Sequence, residues 1–512
     1  MRRERPSTGM SARNAMRGAA LGFVSAVLAA CAVGPTYRAP AAAAVTPHNL
    51  GAAFTAAAPP AEWWRQFGDP VLAELESRAL DQNLDLALAV TRVRAARAAF
   101  SVARFDQAPH VTLDGSYERS KEQQPGFTTD RVDVDATSVG FDASWELDLF
   151  GRVRHEAGAA RAELGAQQAD LADARVIVAA EVARNYFELR GAQRRIAVAH
   201  DNIKNQEEAL RLTQVRFEAG KVTELDTDSA TARLEATEAS LPLLEADAKQ
   251  HAYRLAVLLG APPGALDDRL VAVPVSVMTA PLPIGDVSTL LRTRPDVRAA
   301  ERGLAAATER VGVATADLFP RVTFTGFVGF LSGDTSQLGK AASRAWLIAP
   351  AVSWPALDLA SAHARLRGAR AEADGAIAVY RKAVLSALED FEDSCVSYGA
   401  QESRLASVLR QAEASRRAER LAEIQYREGS INFLVLLDAQ RTLLDAEDAL
   451  AQAETAANTG AVAVYKALGG SGEGATSPAV AGSSHAASSV GARQEAPVPF
   501  DLPPRGRTAP SG

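Results

Sequence analysis

The chain repeats one helix–turn–helix unit at a spacing of 209 residues, and this duplication limits the folds open to it. The first copy, VRFEAGKVTELDTDSATARL, spans Val215–Leu234, and the second, IQYREGSINFLVLLDAQRTL, spans Ile424–Leu443. The turn residues that correspond are Gly220 with Gly429 and Thr223 with Asn432. Glycine ends helices by taking a positive φ, and Thr or Asn caps the helix that follows. Two matching helical hairpins predict an internally duplicated architecture.

Long stretches without proline flank both turns. No proline occurs between Pro125 and Pro242, and helical periodicity continues through most of this stretch. The four long helices that we predict span about 152–219, 223–259, 361–428 and 432–468. At 1.5 Å per residue the longest of them extend about 100 Å, several times the length of an average helix. A further helix is predicted from about Pro70 to Asp106.

Apolar residues recur every seven positions along these helices. In the first long helix they are Ile196, Ile203, Leu210 and Phe217, whereas the positions three later are small or polar. The two returning helices carry the spacing at Leu234, Leu241, Ala248 and Leu255, and at Leu436, Leu443, Leu450, Ala457 and Val464. A thin, sustained heptad seam predicts coiled-coil packing against neighbouring helices.

Each half also contains two segments in which apolar and polar residues alternate. The predicted strands span about 109–120, 133–149, 319–331 and 344–357. This pattern is typical of a transmembrane barrel, and on periodicity alone it fits a half-exposed soluble hairpin equally well. Four strands cannot close a barrel, and lipid does not tolerate open sheet edges. Membrane-spanning strands would therefore have to come from several chains.

The N-terminus has the order of a secretory signal. Five arginines precede an apolar run that ends Leu28-Ala29-Ala30-Cys31, which resembles a bacterial lipobox. By this resemblance Cys31 is the lipidated first residue of the mature protein, and Ala32, which is not Asp, favours sorting to the outer membrane. The alternative is a small-residue cleavage site with an incidental Cys. Translation from Met16 would also leave a signal of normal length.

Composition argues against several other functions. The net charge is −7 and no Lys/Arg tract stands out, which makes nucleic acid an improbable partner. No Gly-rich phosphate loop, paired-His metal motif or nucleophile elbow occurs, so we expect no enzyme activity, no bound metal and no cofactor beyond the lipid on Cys31. Cys395 lies in a helical run and is predicted to be a buried, inert thiol.

These patterns divide the chain into consecutive segments. The predicted segments are a lipoprotein signal peptide (1–30), a lipid-anchored tether (31–60), a first repeat (61–260), a Pro-rich linker (261–285), a second repeat (286–470) and a disordered tail (471–512). The fold class is mainly α with a small β part, built from a duplicated unit of helix, strand hairpin, very long helix and returning helix.

Several motifs together resemble the outer-membrane efflux protein family, the TolC-like channels. They are the Trp63-Trp64 pair, Asp69-Pro70, the Asn83-x-Asp85-Leu86 segment and Leu290-Leu291-Arg292-Thr293-Arg294-Pro295-Asp296, in which Thr293 replaces the usual first Arg. The chain looks most like the lipid-anchored, NodT-type factors of tripartite efflux pumps. The resemblance covers roughly residues 60–470.

The resemblance implies a homotrimer in the outer membrane. Its twelve strands would form a transmembrane β-barrel, and its long helices a hollow cylinder that extends into the periplasm. The expected function is the exit duct through which small molecules or drugs leave the cell. The implied partners are a periplasmic adaptor protein, an inner-membrane transporter of the RND type and outer-membrane lipid. A type I secretion channel for polypeptides and a non-channel lipoprotein scaffold are the alternatives.

The same resemblance suggests roles for residues at the far ends of the helices. Leu434 would form an apolar constriction, and Asp438 with Arg441 a polar ring, with further charge from Asp226 and Asp228. The alternative is that Asp438 and Arg441 form a solvated surface pair. The residues of the two turns would meet the adaptor: Gly220, Lys221, Val222, Thr223, Gly429, Ser430, Ile431 and Asn432. That role is compatible with simple helix capping.

Overall fold

A computed structural model of the chain describes residues 33–40, 51–123, 129–273, 277–278, 280–286 and 293–470. Cys31, the predicted signal peptide and the predicted disordered tail lie outside the described residues. The helices are α1 (Pro70–Gln82), α2 (Leu84–Phe105), α3 (Arg152–Glu218), α4 (Glu224–Leu258), α5 (Pro295–Ala316), α6 (Leu359–Arg427) and α7 (Phe433–Ala467). The strands are β1 (Phe54–Thr55), β2 (His110–Glu122), β3 (Val132–Leu147), β4 (Leu282–Pro283), β5 (Arg321–Ser332) and β6 (Arg344–Ser353).

The predicted strands and long helices are all present. Both ends of each long helix lie within two residues of the predicted position. The largest difference is at the end of β6, which stops at Ser353, four residues before the predicted end at 357. Pro355 has no N–H to donate, so the ladder cannot continue through it. The indole of Trp354 instead donates to the carbonyl of Leu318 at 3.1 Å.

The four long strands form one antiparallel sheet in the order β2–β3–β5–β6. The register places Leu113 opposite Phe141, Phe141 opposite Val328, and Val328 opposite Trp346. Because side chains alternate across a strand, these residues share one apolar face. Within the described residues, β2 and β6 are each paired on one side only. The sheet is therefore an open, amphipathic wall with two free edges.

Four long helices continue from the sheet and lie side by side. Farther from the sheet they are arranged in the order α4–α3–α7–α6, and α2 and α5 pack on α3 nearer the sheet. With 67 and 69 residues, α3 and α6 are rods of about 100 Å. Across the described residues, no helix is both long enough and apolar enough to cross a membrane.

The seam buried within the chain along α3 is not the predicted one. Ile196, Ile203 and Leu210 are only partly buried, and Phe217 is exposed. Besides Val198, the buried positions in this stretch are Ala199, Asn202, Gln206, Ala209 and Thr213, at alternating spacings of three and four. These small and polar side chains allow α3 to approach its neighbours closely. On α7, by contrast, the predicted heptad from Leu436 to Val464 is buried.

The predicted helix from Pro70 to Asp106 is interrupted at Asn83. This residue has an extended backbone, and its side-chain oxygen accepts hydrogen bonds from the N–H groups of Asp85 and Leu86, so it caps α2. Its side-chain amide donates to the carbonyl of Leu258 at 2.9 Å. The apolar periodicity continues through Asn83, which is why the interruption was not predicted.

The principal core lies midway along the molecule, where the two halves meet. Trp63 and Trp64 are buried, and Trp63 stacks on Tyr465 with ring centroids 5.1 Å apart. In the linker, β4 pairs in parallel with β1. Cys395 is also buried in this core, and burial raises the pKa of its thiol to about 12. The thiol therefore stays protonated, as the sequence predicted.

Part of the predicted tether packs against helices. The Val33 N–H donates to the Phe150 carbonyl at 3.1 Å, directly after β3. Tyr37 packs against the small residues Ala162, Ala305 and Ala306, and its hydroxyl donates to Glu301. A groove lined by alanines on α3 and α5 accommodates this ring. The segment 33–40 is therefore fixed beside the junction of sheet and helix.

One carboxyl group in the core is energetically unfavourable. Glu76 on α1 is fully buried, and neither of its oxygens has a hydrogen-bond partner of normal geometry. Burial raises its pKa well above the usual value, and a contact with the Ala183 backbone offsets this only in part. The folded protein therefore favours the protonated form, whereas the unfolded chain ionises near pH 4.3.

Replacing Glu76 by Gln should stabilise the protein, and more so as the pH rises. A folded pKa above the unfolded one gives stability that is complete below about pH 4.3 and is lost as the pH rises towards the folded pKa. We expect the gain in melting temperature, followed by circular dichroism, to be small near pH 4 and largest near pH 8. Asp81→Asn, at an exposed position near the end of the same helix, is the control. An equal gain at both pH values would contradict the argument.

Candidate functional site at the helix turns

The two helix–turn–helix units end their first helices in the same way. Gly220 and Gly429 have φ of 64° and 78°, a region that other residues rarely adopt. The Lys221 N–H donates to the Arg216 carbonyl at 2.8 Å, and the Ser430 N–H donates to the Gln425 carbonyl at 2.9 Å. This is the Schellman arrangement, in which glycine lets the chain leave the helix while the last carbonyls stay bonded.

The next helices are capped differently in the two repeats. In the first, the Asp226 carboxylate accepts from both the backbone N–H and the hydroxyl of Thr223, each at 2.9 Å. In the second, the Asn432 side chain accepts from the Val435 N–H at 3.1 Å. Asp226 therefore helps to cap α4, a role that was not predicted from the sequence. Asp228 is exposed.

A small apolar cluster packs the two turns together. It includes Ala209 and Ala230 from the first hairpin, and Tyr426 and Phe433 from the second. The rings of Tyr426 and Phe433 lie 5.7 Å apart, and Ile431 packs against the cluster. This cluster lies about 100 Å from the sheet, since one long helix separates them. The turns therefore form the end of the molecule opposite the strands.

Arg216 joins the two hairpins, and sequence analysis did not identify it. Its guanidinium donates to the carbonyl of Tyr426 at 2.8 Å and to that of Arg427 at 3.1 Å. The same group lies over the Tyr426 ring, 4.1 Å from its centroid. These carbonyls belong to the last turn of α6, where the helix dipole favours a positive charge. Arg216 therefore holds the end of α3 to the end of α6.

The predicted aperture residues lie on the first turns of α7. Leu434 is 49% exposed although it is apolar, as is the adjacent Val435. The Arg441 guanidinium donates to the Asp438 carboxylate at 2.8 Å, and both side chains are exposed. In a single chain this pair faces solvent and contributes little stability. Asp226 lies on the first turn of α4 and Asp228 on the second, at the same end of the molecule.

The tip turns themselves are open to solvent. Lys221 and Ser430 are exposed, and a Cβ placed on Gly220 or Gly429 would meet no atom within 4 Å. Val222 and Ile431 are half-buried between the hairpins. The two turns thus offer backbone and small side chains at the surface, on a base fixed by the apolar cluster and Arg216.

The fold and the turns together define a class of protein: the subunit of a channel in which an amphipathic transmembrane sheet is continued by long helices. The chain belongs to the outer membrane efflux protein family, whose model matches residues 75–261 and 287–470. It is an outer-membrane efflux channel protein, the exit duct of a pump, and its helices extend into the periplasm.

Similar proteins include other members of this family. Nodulation protein T of Rhizobium leguminosarum bv. trifolii is 31% identical over 435 residues, which cover 84% of this chain and 92% of that protein. The antibiotic efflux pump outer membrane protein ArpC of Pseudomonas putida is 31% identical over 472 residues, or 88% and 94% of the two chains. The solved outer-membrane channel OprN is 47% identical, with a TM-score of 0.81 over 86% of this chain and 99% of that one.

Proposed function

We propose that three copies of this chain form one closed channel that exports small molecules. The open edges of a single copy carry this proposal. The sheet ends at β2 on one side and β6 on the other, and an open edge is not stable in lipid. If β6 of each copy pairs with β2 of the next, three copies give a closed barrel of twelve strands. A head-to-tail contact of this kind closes into a ring when its rotation permits.

The helices support the same arrangement. The outer helices of the layer, α4 and α6, carry exposed apolar side chains that have no use in a monomer. They include Leu225, Leu243, Leu385, Leu421 and Ile424. Packing α6 of one copy against α4 of the next would bury them and close a helical cylinder below the barrel.

The gate proposal follows from this closure. At the threefold axis, the exposed Leu434 and Asp438 side chains of three copies would face one another and narrow the inner mouth. Asp226, Asp228 and Arg441 would contribute charge around the same opening. The open turns at Gly220–Thr223 and Gly429–Asn432 are the surface that a periplasmic adaptor would contact. An inner-membrane transporter of the RND type would complete the pump.

Small apolar or drug-like compounds are the proposed cargo. The relative ArpC is named for antibiotic efflux, and the chain matches nearly its whole length. No observation from the comparisons or from the geometry of the chain favours polypeptides as the cargo. The duct itself would be wide, and the transporter partner would set its selectivity.

Conductance in planar bilayers tests this function. Purified protein should insert and conduct ions, with a low open probability because the inner mouth is narrow. Leu434→Ser and Asp438→Ala should each raise the current, since they remove the constriction or its polar ring. Asp445→Ala, at an exposed acid further along α7, is the matched control and should behave as wild type. A purified protein that forms no conducting species would contradict the proposal.

Cys31 is proposed as the lipid attachment site, with one lipid-bearing anchor per copy. Val33, two residues later, is bonded to Phe150 at the junction of β3 and α3. The segment that follows Cys31 in the sequence therefore starts close to the periplasmic end of the strands, and two residues span at most about 7 Å. That position suits a lipid inserted in the inner leaflet of the outer membrane.

Replacing Cys31 by Ser should abolish incorporation of labelled palmitate. The remaining cysteine offers a control within the same chain, because Cys395→Ser leaves the proposed attachment site intact and should keep the label. We expect Cys31→Ser protein to remain in the membrane fraction if its strands insert normally. Palmitate labelling of the Cys31→Ser variant would exclude this residue as the anchor.

A further inference from the structure

The face of the sheet opposite the apolar one is not polar throughout. On β2 and β3 it carries Thr112, Asp114, Ser116, Asp142 and Ser144, as expected for the inner wall of a channel. On β5 and β6 the same face carries Phe327, Leu331 and Leu347, with Phe327 directly opposite Leu347. Leu331 and Leu347 are more than half exposed. An apolar island therefore lies within the wall that would face water.

The Phe327 ring lies flat against this face and does not project away from it. An ideal Cβ on Gly140 would lie 2.5 Å from Cε2 and 2.7 Å from Cζ of the Phe327 ring. A Cβ on Gly329 would lie 2.9 Å from the same Cζ. Gly140 and Gly329 are register partners on β3 and β5, two positions beyond Phe327 along its strand. The ring thus lies over a pair of glycines, in space that any other residue would fill.

Other glycines of the sheet lack such a contact. A Cβ on Gly326 would meet its nearest atoms at 3.7 and 3.8 Å, and one on Gly115 at 3.7 and 3.9 Å, which are ordinary van der Waals distances. At Gly140 the ring is the nearest neighbour, whereas a Cβ on Gly329 would meet the Val139 carbonyl oxygen and the Gly140 Cα of β3 before it met the ring. Glycine within a strand costs stability, and its presence there often marks a close approach of another group.

We propose that Gly140 and Gly329 form a notch that holds the ring of Phe327 flat against the inner wall, and that this contact sets the bore of the barrel. The inference rests on the proposed closed channel. Because a barrel side chain on the inner face projects towards the axis, a ring that stood upright in every copy would narrow the lumen. Held in the notch, the ring instead presents its apolar face to passing compounds.

Cysteine accessibility tests which way Phe327 faces. Phe327→Cys in reconstituted liposomes should react with a charged, membrane-impermeant thiol reagent, seen as a mass shift. In planar bilayers the same reaction should reduce the current in discrete steps, one per subunit. Val328→Cys, the next residue on the apolar face, should resist the reagent. Wild-type protein should not respond, because the Cys395 thiol is buried and the proposed lipid leaves no free thiol at Cys31. Absence of labelling at Phe327→Cys, or equal labelling at both positions, would overturn the proposal.

A double-variant cycle tests the notch itself. Gly140→Ala should displace the ring and lower the conductance, and Phe327→Ala in the same chain should restore much of the loss. The new Cβ also comes within 2.8 Å of the Val328 carbonyl in both variants, so their difference reports the ring alone. Gly326→Ala is the matched control. Equal conductance of the single and double variants would overturn the proposal, and if neither assembles, the labelling result decides.

Failure of this inference is distinguishable from failure of the channel proposal. A wild-type protein that conducts, combined with a Phe327→Cys variant that resists labelling, removes the inference and leaves the channel. A wild-type protein that does not conduct removes the channel whatever the labelling shows.

Discussion

Replacing Arg216 by Ala should open the inner end of the channel. The guanidinium holds α3 to the end of α6 through two carbonyl hydrogen bonds and its contact with the Tyr426 ring. Hydrogen bonds to a charged group contribute about 1.5–3 kcal/mol each, and a cation–π contact about 0.5–2 kcal/mol. Even about 1.4 kcal/mol of this total shifts an equilibrium tenfold.

The expected readout is a higher open probability in planar bilayers and greater sensitivity of cells to large antibiotics. Arg211→Ala is the matched control, because this exposed arginine lies five residues earlier on the same helix and pairs only with Glu208, at 2.7 Å. Arg216→Lys should be intermediate, since an ammonium group does not reproduce the planar, forked contacts of a guanidinium. An Arg216→Ala channel with wild-type current and unchanged drug sensitivity would show that this contact does not restrain the gate.

A Tyr426→Phe variant separates the contribution of the ring face from that of the hydroxyl group. Tyr426→Phe keeps the face over which Arg216 lies and loses only the hydroxyl, whose contact with Thr213 is long at 3.4 Å. It should therefore behave nearly as wild type. The carbonyl that accepts from Arg216 belongs to the backbone and is retained in either residue.

The sequence allowed the two turns and most element boundaries to be predicted, because their signals are local. Gly220 and Gly429 end helices through their own φ, and Asn432 caps the next helix within three residues. Asn83 also caps a helix through its own side chain. Its capping role was missed because the apolar residues keep their helical spacing on both sides of it. The stop of β6 at Ser353 also has a local cause in Pro355, but the apolar–polar alternation continues to Trp354, and the predicted strand followed the alternation.

Contacts between distant segments could not be predicted in the same way. Arg216 and Tyr426 lie 210 residues apart, and nothing near either residue indicates the other. The heptad of α3 identified an apolar stripe, but not which neighbour it faces. Within one copy, α3 buries its small and polar positions, while Phe217 stays exposed. A helix in a cylinder has neighbours on both sides, so a single periodicity cannot assign both seams.

The second large effect that we expect is a loss of folding stability when Arg294 is replaced. This arginine precedes α5 and is buried, and it donates to the Ala387 carbonyl on α6 and the Ala467 carbonyl at the end of α7. Its remaining N–H groups donate to the carboxylates of Asp296 and Asp390 at 2.7–3.1 Å. One guanidinium thus joins three helices through five hydrogen bonds, which accounts for the Arg-Pro-Asp motif at this position.

The positive charge of Arg294 also acts on a fourth helix, α3. Burial, together with the nearby Asp296 carboxylate, raises the pKa of Asp173 on α3 to about 6, and the Arg294 guanidinium counteracts this rise. Removing Arg294 would therefore leave three carboxylates, Asp173, Asp296 and Asp390, without their shared cation.

Arg294→Ala should destabilise the protein by about 2–3 kcal/mol, mainly because the buried Ala467 carbonyl at the end of α7 loses its charged donor. The carboxylates of Asp296 and Asp390 are 34% and 59% exposed, so water replaces part of their contacts. The measurements are the thermal midpoint of purified protein and its abundance in the outer membrane. Arg310→Ala, on the same helix α5, removes an exposed pair with Glu163 at 3.2 Å and should cost less than about 1 kcal/mol. Arg294→Lys keeps the charge but cannot make all five contacts, and should fall between the two. A midpoint for Arg294→Ala equal to that of Arg310→Ala would mean that packing, not this arginine, holds the helices together.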